Sequence, residues 1–456
     1  PDLEELVHLA PVASGGQTAA INPDLIRRQV QQALKHGEYG HAYYGAAATI
    51  ANQLQVIMQP AEGYGEQNDW LNATVIYRTV LEELLNQYGQ IYDHDGDLGA
   101  VFWDGGERLG ECLAQTDQPE TRLEILQTLV DVIVADIEVG GYGFADSAYG
   151  VVLEEANAAE KAAIATWIEA KLAGIKLSTD DFSQKWRAES YGRFLLNLQG
   201  DTLTDEQFIQ LCRRSGQLNK LVERLLQLYR VDEAVATAHT ASDYELLALA
   251  DLFVAHDQAT IAEGLVWERS GRSKDDRLTD WLKKQAVNSG DWPQAIHYAE
   301  SQFWQRPTLA YYQDLKHIAE QLGDWADRQP KILSRLSKQE EHGLLTTIYV
   351  LEKDIDAALK TLPQVRYGGH LTIEVAQAAE ASHPQEAIRL YQQKVTQLIA
   401  ARGRDNYAEA AKYLHRIKNL YGKLGEGDKW TETMRAVRDQ KPRLPALLDE
   451  LKQAGL

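Results

Sequence analysis

The fold is decided by the stretch Gly290-Asp291-Trp292-Pro293-Gln294-Ala295-Ile296. A glycine is a common residue just after the end of a helix, and the following aspartate is a favoured N-cap for the next one. Proline is tolerated in the first turn of a helix because its missing N–H would have no partner there. Ala295 then gives a small side chain where two helices can approach closely. This order of residues predicts the turn of a helical hairpin.

Looser versions of this turn recur in the second half of the chain, at Val231-Asp232-Glu233-Ala234, Gly323-Asp324-Trp325-Ala326, Lys353-Asp354-Ile355-Asp356-Ala357-Ala358, His383-Pro384-Gln385-Glu386-Ala387 and Asn406-Tyr407-Ala408-Glu409-Ala410. Successive alanines are 31, 32 and 29 residues apart, from Ala295 through Ala326 and Ala358 to Ala387. Tetratricopeptide repeats have a period of about 34 residues, and such hairpins must stack to bury their apolar faces. We therefore expect an all-α fold, a degenerate tetratricopeptide-like solenoid of helical hairpins.

The charge distribution predicts how the 456 residues are divided. The net charge is −21, and the balance is −18 over residues 1–200 but only −3 over residues 201–456. A chain of this length is too long for one ordinary core. We predict an N-terminal extension over residues 1–20, an acidic helical domain over 21–172, a connector over 173–205 and the tetratricopeptide-like region over 206–456.

Several classes of protein are disfavoured by the composition. No uninterrupted apolar run of about 18 residues occurs, so we expect no membrane span. Cys112 and Cys212 are the only cysteines, which is too few for a disulfide framework, and they form no Cys-x-x-Cys zinc pair. These observations favour reduced, partly buried thiols in a cytoplasmic protein. The start at Pro1, without a methionine, suggests a fragment of a longer chain.

The local charge also predicts the kind of partner. Residues 51–150 contain eighteen Asp or Glu and three Arg or Lys, whereas residues 401–456 contain eight acidic and twelve basic residues. A negative field repels phosphate backbones, so we expect no direct nucleic-acid binding through the N-terminal half. The acidic surface is either a docking site for a basic protein or peptide, or a set of solvated helix faces that aid solubility. The oligomeric state cannot be read from these patterns.

Three further segments support a resemblance to a known family. They are the runs 407–421 and 443–451, with Trp430 between them, and the acidic loop Asp93-His94-Asp95-Gly96-Asp97-Leu98-Gly99. These segments resemble the helical, tetratricopeptide-like region that follows the finger in bacterial SWIM zinc-finger proteins. The resemblance implies a helical architecture and no particular activity. A SWIM finger needs Cys-x-Cys and Cys-x-His, which Cys112 and Cys212 cannot supply, so the finger would lie outside this fragment or be lost.

The remaining polar motifs favour structural roles over chemistry. Asp93, Asp95 and Asp97 suggest a calcium loop, but Gly96 is fourth rather than sixth and the twelfth position is Asp104, so a capped turn between helices is favoured. The run Gly140-Gly141-Tyr142-Gly143 has no preceding strand and no following Lys-Ser/Thr, so it is a poor phosphate-binding loop. The histidines show no metal-binding spacing. We therefore expect no catalytic residues, no cofactor and no metal.

A cluster of aromatic residues is the candidate partner-binding site, with helix-packing core as the alternative. Aromatic side chains often dominate the binding energy of interfaces. The predicted site consists of Trp281, Trp292, Phe303, Trp304 and Tyr311, with Tyr312 beside them.

The sequence thus favours a non-enzymatic scaffold or peptide-binding module of a cytoplasmic bacterial protein. The alternative is an accessory nucleic-acid-associated factor whose zinc finger lies outside this fragment. A third hypothesis is a hydrolase with its site between the two regions, which would require titratable groups converging in a deep pocket.

Overall fold

The computed structural model describes residues 20–38, 45–176, 181–366, 369–439 and 444–456. Within these ranges the chain forms 24 α-helices, one short 3-10 helix at Leu362–Gln364 and no strand. The fold is all-α and built from tandem helical hairpins of the tetratricopeptide-like kind, so the predicted fold class is confirmed. The predicted extension over residues 1–20 lies, apart from residue 20, outside the described residues.

The chain divides into two compact units, the first ending at Leu265 and the second beginning at Val266. The first unit contains α1 (Pro23–Glu38), α2 (Ala46–Glu66), α3 (Trp70–Tyr88), α4 (Asp97–Ala114), α5 (Pro119–Val139), α6 (Asp146–Glu155), α7 (Ala158–Ala173), α8 (Phe182–Gln199), α9 (Asp205–Ser215), α10 (Leu218–Gln227), α11 (Val231–Ala238) and α12 (Asp243–Ala255). The boundary falls within α13 (Ala259–Ser270).

The second unit continues with α14 (Asp276–Ser289), α15 (Trp292–Gln305), α16 (Leu309–Leu322), α17 (Trp325–Lys338), α18 (His342–Leu351), α19 (Ile355–Thr361), α20 (Leu371–Ala379), α21 (Pro384–Ala401), α22 (Arg404–Leu424), α23 (Gly427–Asp439) and α24 (Pro445–Gln453). Within each unit, the main helix packing joins helices no more than three positions apart in chain order. This connectivity is typical of stacked hairpins.

Several hairpin turns share one backbone mechanism, a residue with positive φ just after a helix. Gly290 has φ +75° and Lys353 has φ +62°, so each lies in the left-handed region just after a helix. The N–H of Asp291 then bonds to the carbonyl of Ala286 at 2.8 Å, as expected for a Schellman-type helix end. The side chain of Asp291 also accepts from the N–H of Gln294 at 3.1 Å, which caps the next helix. One short turn therefore ends one helix and begins the next.

The small residues of the turn motif are buried where the helices cross. Ala295, Ala358 and Ala387 each lie four residues after the residue that precedes their helix, and none is accessible to solvent. The prediction is wrong for Ala326, which is exposed. The equivalent position in that turn is Arg328, because its helix begins after Asp324.

The corrected register changes the repeat length. The turn glycines Gly290 and Gly323, both with positive φ, are 33 residues apart, two more than the spacing of the alanines suggested. Arg328 replaces a small residue and forms an ion pair with Asp324 at 2.5 Å and another with Glu300. One repeat therefore has an ion pair at the position where the other repeats have a small residue and closely packed helices.

The predicted connector over residues 173–205 contains helix α8, which packs on α7. The contact-based boundary between the compact units lies later, at Leu265. The domain boundaries that we deduced from the charge distribution therefore stay a prediction.

Glycines let helix α4 pack closely against its neighbours in the first unit. A Cβ on Gly105 would lie 2.7 Å from a methyl group of Leu81, and one on Gly106 would lie 2.5 Å from the hydroxyl of Ser147. At Gly110 it would lie 2.6 Å from a methyl group of Val151. These glycines bring α4 close to α3 and α6, and α4 carries part of the candidate site described below.

A buried ion pair fastens three segments of the first unit. The guanidinium of Arg122 donates to both carboxylate oxygens of Glu160, at 2.7 and 3.0 Å. It also donates to the carbonyls of Leu113 at 2.6 Å and Glu155 at 2.9 Å. Glu160 in turn accepts from the N–H of Asn157 at 2.9 Å in a capping box. Each partner thus satisfies the charge of the other with several hydrogen bonds.

Candidate functional site

The aromatic residues predicted to bind a partner belong largely to the core of the second unit. Phe303 and Tyr312 are completely buried, and Trp281 is buried as well. Trp292, Trp304 and Tyr311 are half-buried and pack against the same hydrophobic cluster.

The half-buried rings also have partners within the chain. The guanidinium carbon of Arg335 lies 3.9 Å from the ring centroid of Trp304, and the ammonium of Lys283 lies 5.9 Å from that of Tyr311. A buried ring cannot reach a partner unless it moves, so only parts of Trp292, Trp304 and Tyr311 are available. Partner binding by this cluster stays a prediction.

The acidic loop before α4 is a capped turn. The carboxylate of Asp93 accepts from the N–H of Leu98 at 3.3 Å and from the N–H of Gly99 at 3.0 Å. Gly96 has φ +77°, which places the loop in position to start the helix. Asp93 therefore satisfies donors that the helix itself leaves without partners, as the capped-turn interpretation predicts.

The buried carboxylate of Asp136 is hydrogen-bonded to the glycine-rich loop that follows α5. Asp136 accepts from the N–H of Gly143, at 3.1 Å to one carboxylate oxygen and 3.3 Å to the other. Burial raises the pKa of Asp136, and hydrogen bonding to the loop backbone opposes that rise. Gly141 has φ +77°, and a Cβ there would lie 2.4 Å from the ring of Trp186. These contacts hold the loop that carries Tyr142.

These two loops, separated in the sequence, line one groove in the first unit. Its volume is about 740 Å³. We call it the acidic-aromatic groove, and its lining residues are Tyr88, Gly89, Ile91, Tyr92, Asp93, His94, Asp95, Gly96, Gly99, Ala100, Trp103, Val139, Tyr142, Gly143 and Phe144.

Three packed rings support the base of the groove. Tyr88 meets Phe102 and Phe144 edge to face, with centroids 5.2 and 5.0 Å apart, and the latter two rings stack at 4.9 Å. Burial, together with the nearby carboxylate of Asp93, raises the pKa of Tyr88 to about 12. A phenol with this pKa is neutral near pH 7.

Large apolar side chains line the groove while exposed to solvent. Tyr92 is 74% exposed, Tyr142 80%, Trp103 43% and Val139 39%. Asp93 and Asp95 line the same groove, whereas none of the described residues that line it is a lysine or an arginine. Exposed aromatic rings beside carboxylates are suited to binding a cation or a basic peptide.

The described residues hold neither a metal-ligand cluster nor an exposed thiol. No group of three or more His, Cys, Asp or Glu within them is arranged to hold a metal ion. Cys112 and Cys212 are buried, and burial raises the pKa of their thiols to about 11 and about 12. Such thiols are poor nucleophiles at neutral pH.

The sequence interpretation missed the residues that make the groove. The loops 93–99 and 140–143 were interpreted separately, the first as a capped turn rather than a calcium loop and the second as a poor phosphate-binding loop. The available signal was an aromatic residue in each loop, Tyr92 and Tyr142, where core packing gives no reason for one. Helical periodicity alone does not distinguish the partly exposed Trp103 from a core residue.

Comparisons with known proteins give limited kinship. No protein-family model matches the chain. The uncharacterised protein YwqB of Bacillus subtilis (strain 168) is 33% identical to it over 76 residues. That stretch is 17% of this chain and 14% of YwqB, so the chain covers much less than two thirds of its relative.

Three solved structures are similar to nearly the whole chain at low scores. They are a circular tandem repeat protein with a novel repeat topology, the tetratricopeptide-repeat domain of P58(IPK) and the Cut9-Hcn1 hetero-tetramer of the APC/C. Their sequence identities are 13%, 12% and 12%, they cover 95%, 94% and 95% of this chain, and 96%, 97% and 96% of their own chains are covered. The TM-scores are 0.24, 0.19 and 0.21, too low to imply a shared function.

Proposed function

We propose that this protein is a non-enzymatic interaction module that binds a protein or peptide segment with basic side chains in the acidic-aromatic groove. The observation that carries the proposal is the combination of exposed Tyr92, Trp103 and Tyr142 with carboxylates and no lysine or arginine among the described lining residues. Removing aromatic surface from water favours association, and the carboxylates favour a cationic partner.

The charge around the groove supports the same partner. Residues 51–150, which include most of the groove, have eighteen acidic and three basic residues. Attraction between this region and a basic segment would raise the association rate at low salt and weaken as salt is added. We further propose that the protein works in the bacterial cytoplasm and is related to SWIM zinc-finger proteins.

The test is a selection of peptides from a random phage-displayed library on the intact protein. The enriched peptides are then tested for binding to the triple variant Tyr92→Ser/Trp103→Ser/Tyr142→Ser. Tyr229→Ser serves as the control because Tyr229 is 91% exposed outside the groove. We expect enrichment of Arg- and Lys-containing peptides that bind the wild type and the control, but bind the triple variant at least tenfold more weakly.

Enriched peptides that bind the triple variant as well as the wild type would overturn the proposal, as would enrichment of acidic peptides. Duplex DNA is the second probe, because the alternative function is nucleic-acid-associated. Tight DNA binding by this chain at physiological salt would favour that alternative over a peptide partner.

A further inference from the structure

We infer that the acidic-aromatic groove recognises an arginine side chain, with Asp95 as the carboxylate that pairs with the guanidinium. This inference rests on the proposed function and makes it more specific. It assigns different roles to the two acidic residues of the groove and prefers one cation over another.

The first step concerns which carboxylate is available. Asp93 already accepts two backbone N–H groups at the start of α4, so its charge is partly neutralised by the helix end. Asp95 is exposed, lies in the same lining and does not accept these two N–H groups. A ligand cation would therefore replace water around Asp95 without breaking a helix cap.

The second step concerns the rings. Tyr92 and Tyr142 are largely exposed on the same groove as Asp95, and the ring of His94 lies 5.7 Å from that of Tyr92. A guanidinium is planar and weakly hydrated, so it can stack on a ring while its edge donates two N–H groups to a carboxylate. An ammonium is compact and strongly hydrated, so it gains less from a ring and makes no bidentate pair.

The chain itself contains both kinds of contact. The guanidinium carbon of Arg335 lies 3.9 Å from the ring centroid of Trp304, and that of Arg224 lies 4.4 Å from that of Phe208. By comparison, the lysine ammonium groups lie farther from their rings, at 5.9 Å from Tyr311 and Trp325 and 6.0 Å from Trp430.

Arginine does not always approach a ring so closely, because Arg193 lies 5.8 Å from the centroid of Trp186 and Arg416 lies 6.0 Å from that of Tyr391. Among these contacts of the described residues, two of the four arginines lie 4.4 Å or less from a ring centroid and none of the three lysines does.

The third step concerns the shape of the site before binding. The Tyr142 loop is fixed by its bonds to Asp136 and by the contact between Gly141 and Trp186. Asp93 likewise fixes the loop that carries Tyr92 and Asp95. A site held in place before the ligand arrives loses less entropy on binding.

The experiment measures binding of three amino-acid probes to the intact protein labelled with 5-fluorotryptophan. The probes are the N-acetyl methylamides of arginine, lysine and citrulline, the last having nearly the shape of arginine but no charge. The fluorine resonance of Trp103, assigned with Trp103→Phe, reports occupancy of the groove.

We expect the arginine probe to shift the Trp103 resonance with an affinity at least threefold higher than that of the lysine probe. The citrulline probe should bind at least tenfold more weakly than the arginine probe. Asp95→Asn should weaken arginine binding about tenfold, whereas the exposed control Asp201→Asn should leave it unchanged. The affinity of the arginine probe should fall as salt is added.

Asp93→Asn separates the two carboxylates. We expect it to lower the melting temperature because it weakens the cap of α4, and to reduce arginine binding less than Asp95→Asn does. Equal loss of binding in the two variants, with unchanged melting temperature, would contradict the assigned roles.

The inference fails if citrulline or lysine binds as tightly as arginine, or if no probe shifts the Trp103 resonance. The proposed function would still stand if the selected peptides required Tyr92, Trp103 and Tyr142. If those peptides also ignored the aromatic residues, both the inference and the proposed function would be wrong.

Discussion

At the scale of single residues, the stability of the first unit should depend strongly on Arg122. Its guanidinium bonds to Glu160 and to the carbonyls of Leu113 and Glu155. Replacing it with methionine leaves a buried carboxylate without its cation, so Arg122→Met should lower the free energy of unfolding by about 3–5 kcal/mol. Urea denaturation followed by circular dichroism would measure the change.

Arg389→Met is the matched control, because the pair of Arg389 with Glu386 is exposed on both sides. It should cost less than about 1 kcal/mol. Similar losses for the two variants would show that the Arg122 pair is not buried as described.

The same ion pair predicts a dependence on pH. Hydrogen bonding to Arg122 lowers the pKa of Glu160 below its ordinary value of 4.5, and burial only partly opposes this. The folded state therefore holds the ionised form more strongly than the unfolded state does. The resulting stability is present above pH 4.5 and is lost as the pH falls through the lowered pKa of the folded state.

Glu160→Gln removes this titration, so its unfolding free energy should fall less than that of the wild type between about pH 6 and about pH 3. Denaturation curves at several pH values would give the two slopes. Parallel slopes for the wild type and the variant would mean that the pKa of Glu160 is the same folded and unfolded.

At the scale of helices, the glycines of α4 control how closely the helices pack. Gly106→Ala would place a methyl group 2.5 Å from the hydroxyl of Ser147 and 3.2 Å from the N–H nitrogen of Ala148. We expect a loss of about 1–3 kcal/mol from overpacking. Gly150, on the facing helix α6, has nothing within 4 Å of the added carbon.

Gly150→Ala is therefore the control, and should raise stability by about 0.5–1 kcal/mol through helix propensity. Thermal unfolding of both variants tests the pair. A stabilising Gly106→Ala would show that α4 and α6 can separate at little cost.

Helical elements were largely predictable from the sequence, whereas register and tertiary juxtaposition were not. The turn at Gly290 contains its own helix end and cap, so local chemistry alone predicts it. The misplacement of Ala326 arose because a small residue is a weaker marker of register than the glycine at positive φ. The groove could not be predicted, because Tyr92 and Tyr142 are brought to one groove only by the packing of the helices between them.

At the scale of the molecule, the stacked connectivity predicts how far the destabilising effect of a core substitution spreads within a unit. Helices of the second unit pack mainly on near neighbours in chain order. Ala295→Leu should overpack the α14–α15 and α15–α16 contacts and cost about 1–3 kcal/mol. Hydrogen exchange should accelerate in residues 276–322 much more than in residues 404–424, since each repeat contacts only its neighbours.

Ala326→Leu serves as the matched control because Ala326 is exposed. It should change stability by less than about 0.5 kcal/mol and leave exchange unaltered. Uniform acceleration across residues 276–424 in Ala295→Leu would show that the second unit opens as a single cooperative block.

The buried carboxylate of Asp136 has a kinetic consequence. Because this carboxylate bonds to the backbone next to Tyr142, the loop is already largely ordered in the folded protein before a partner binds. Partners that differ by one contact with Tyr142 would then arrive at similar rates and differ mainly in how long they stay bound. The residence time on the protein, more than the speed of encounter, would distinguish one basic segment from another.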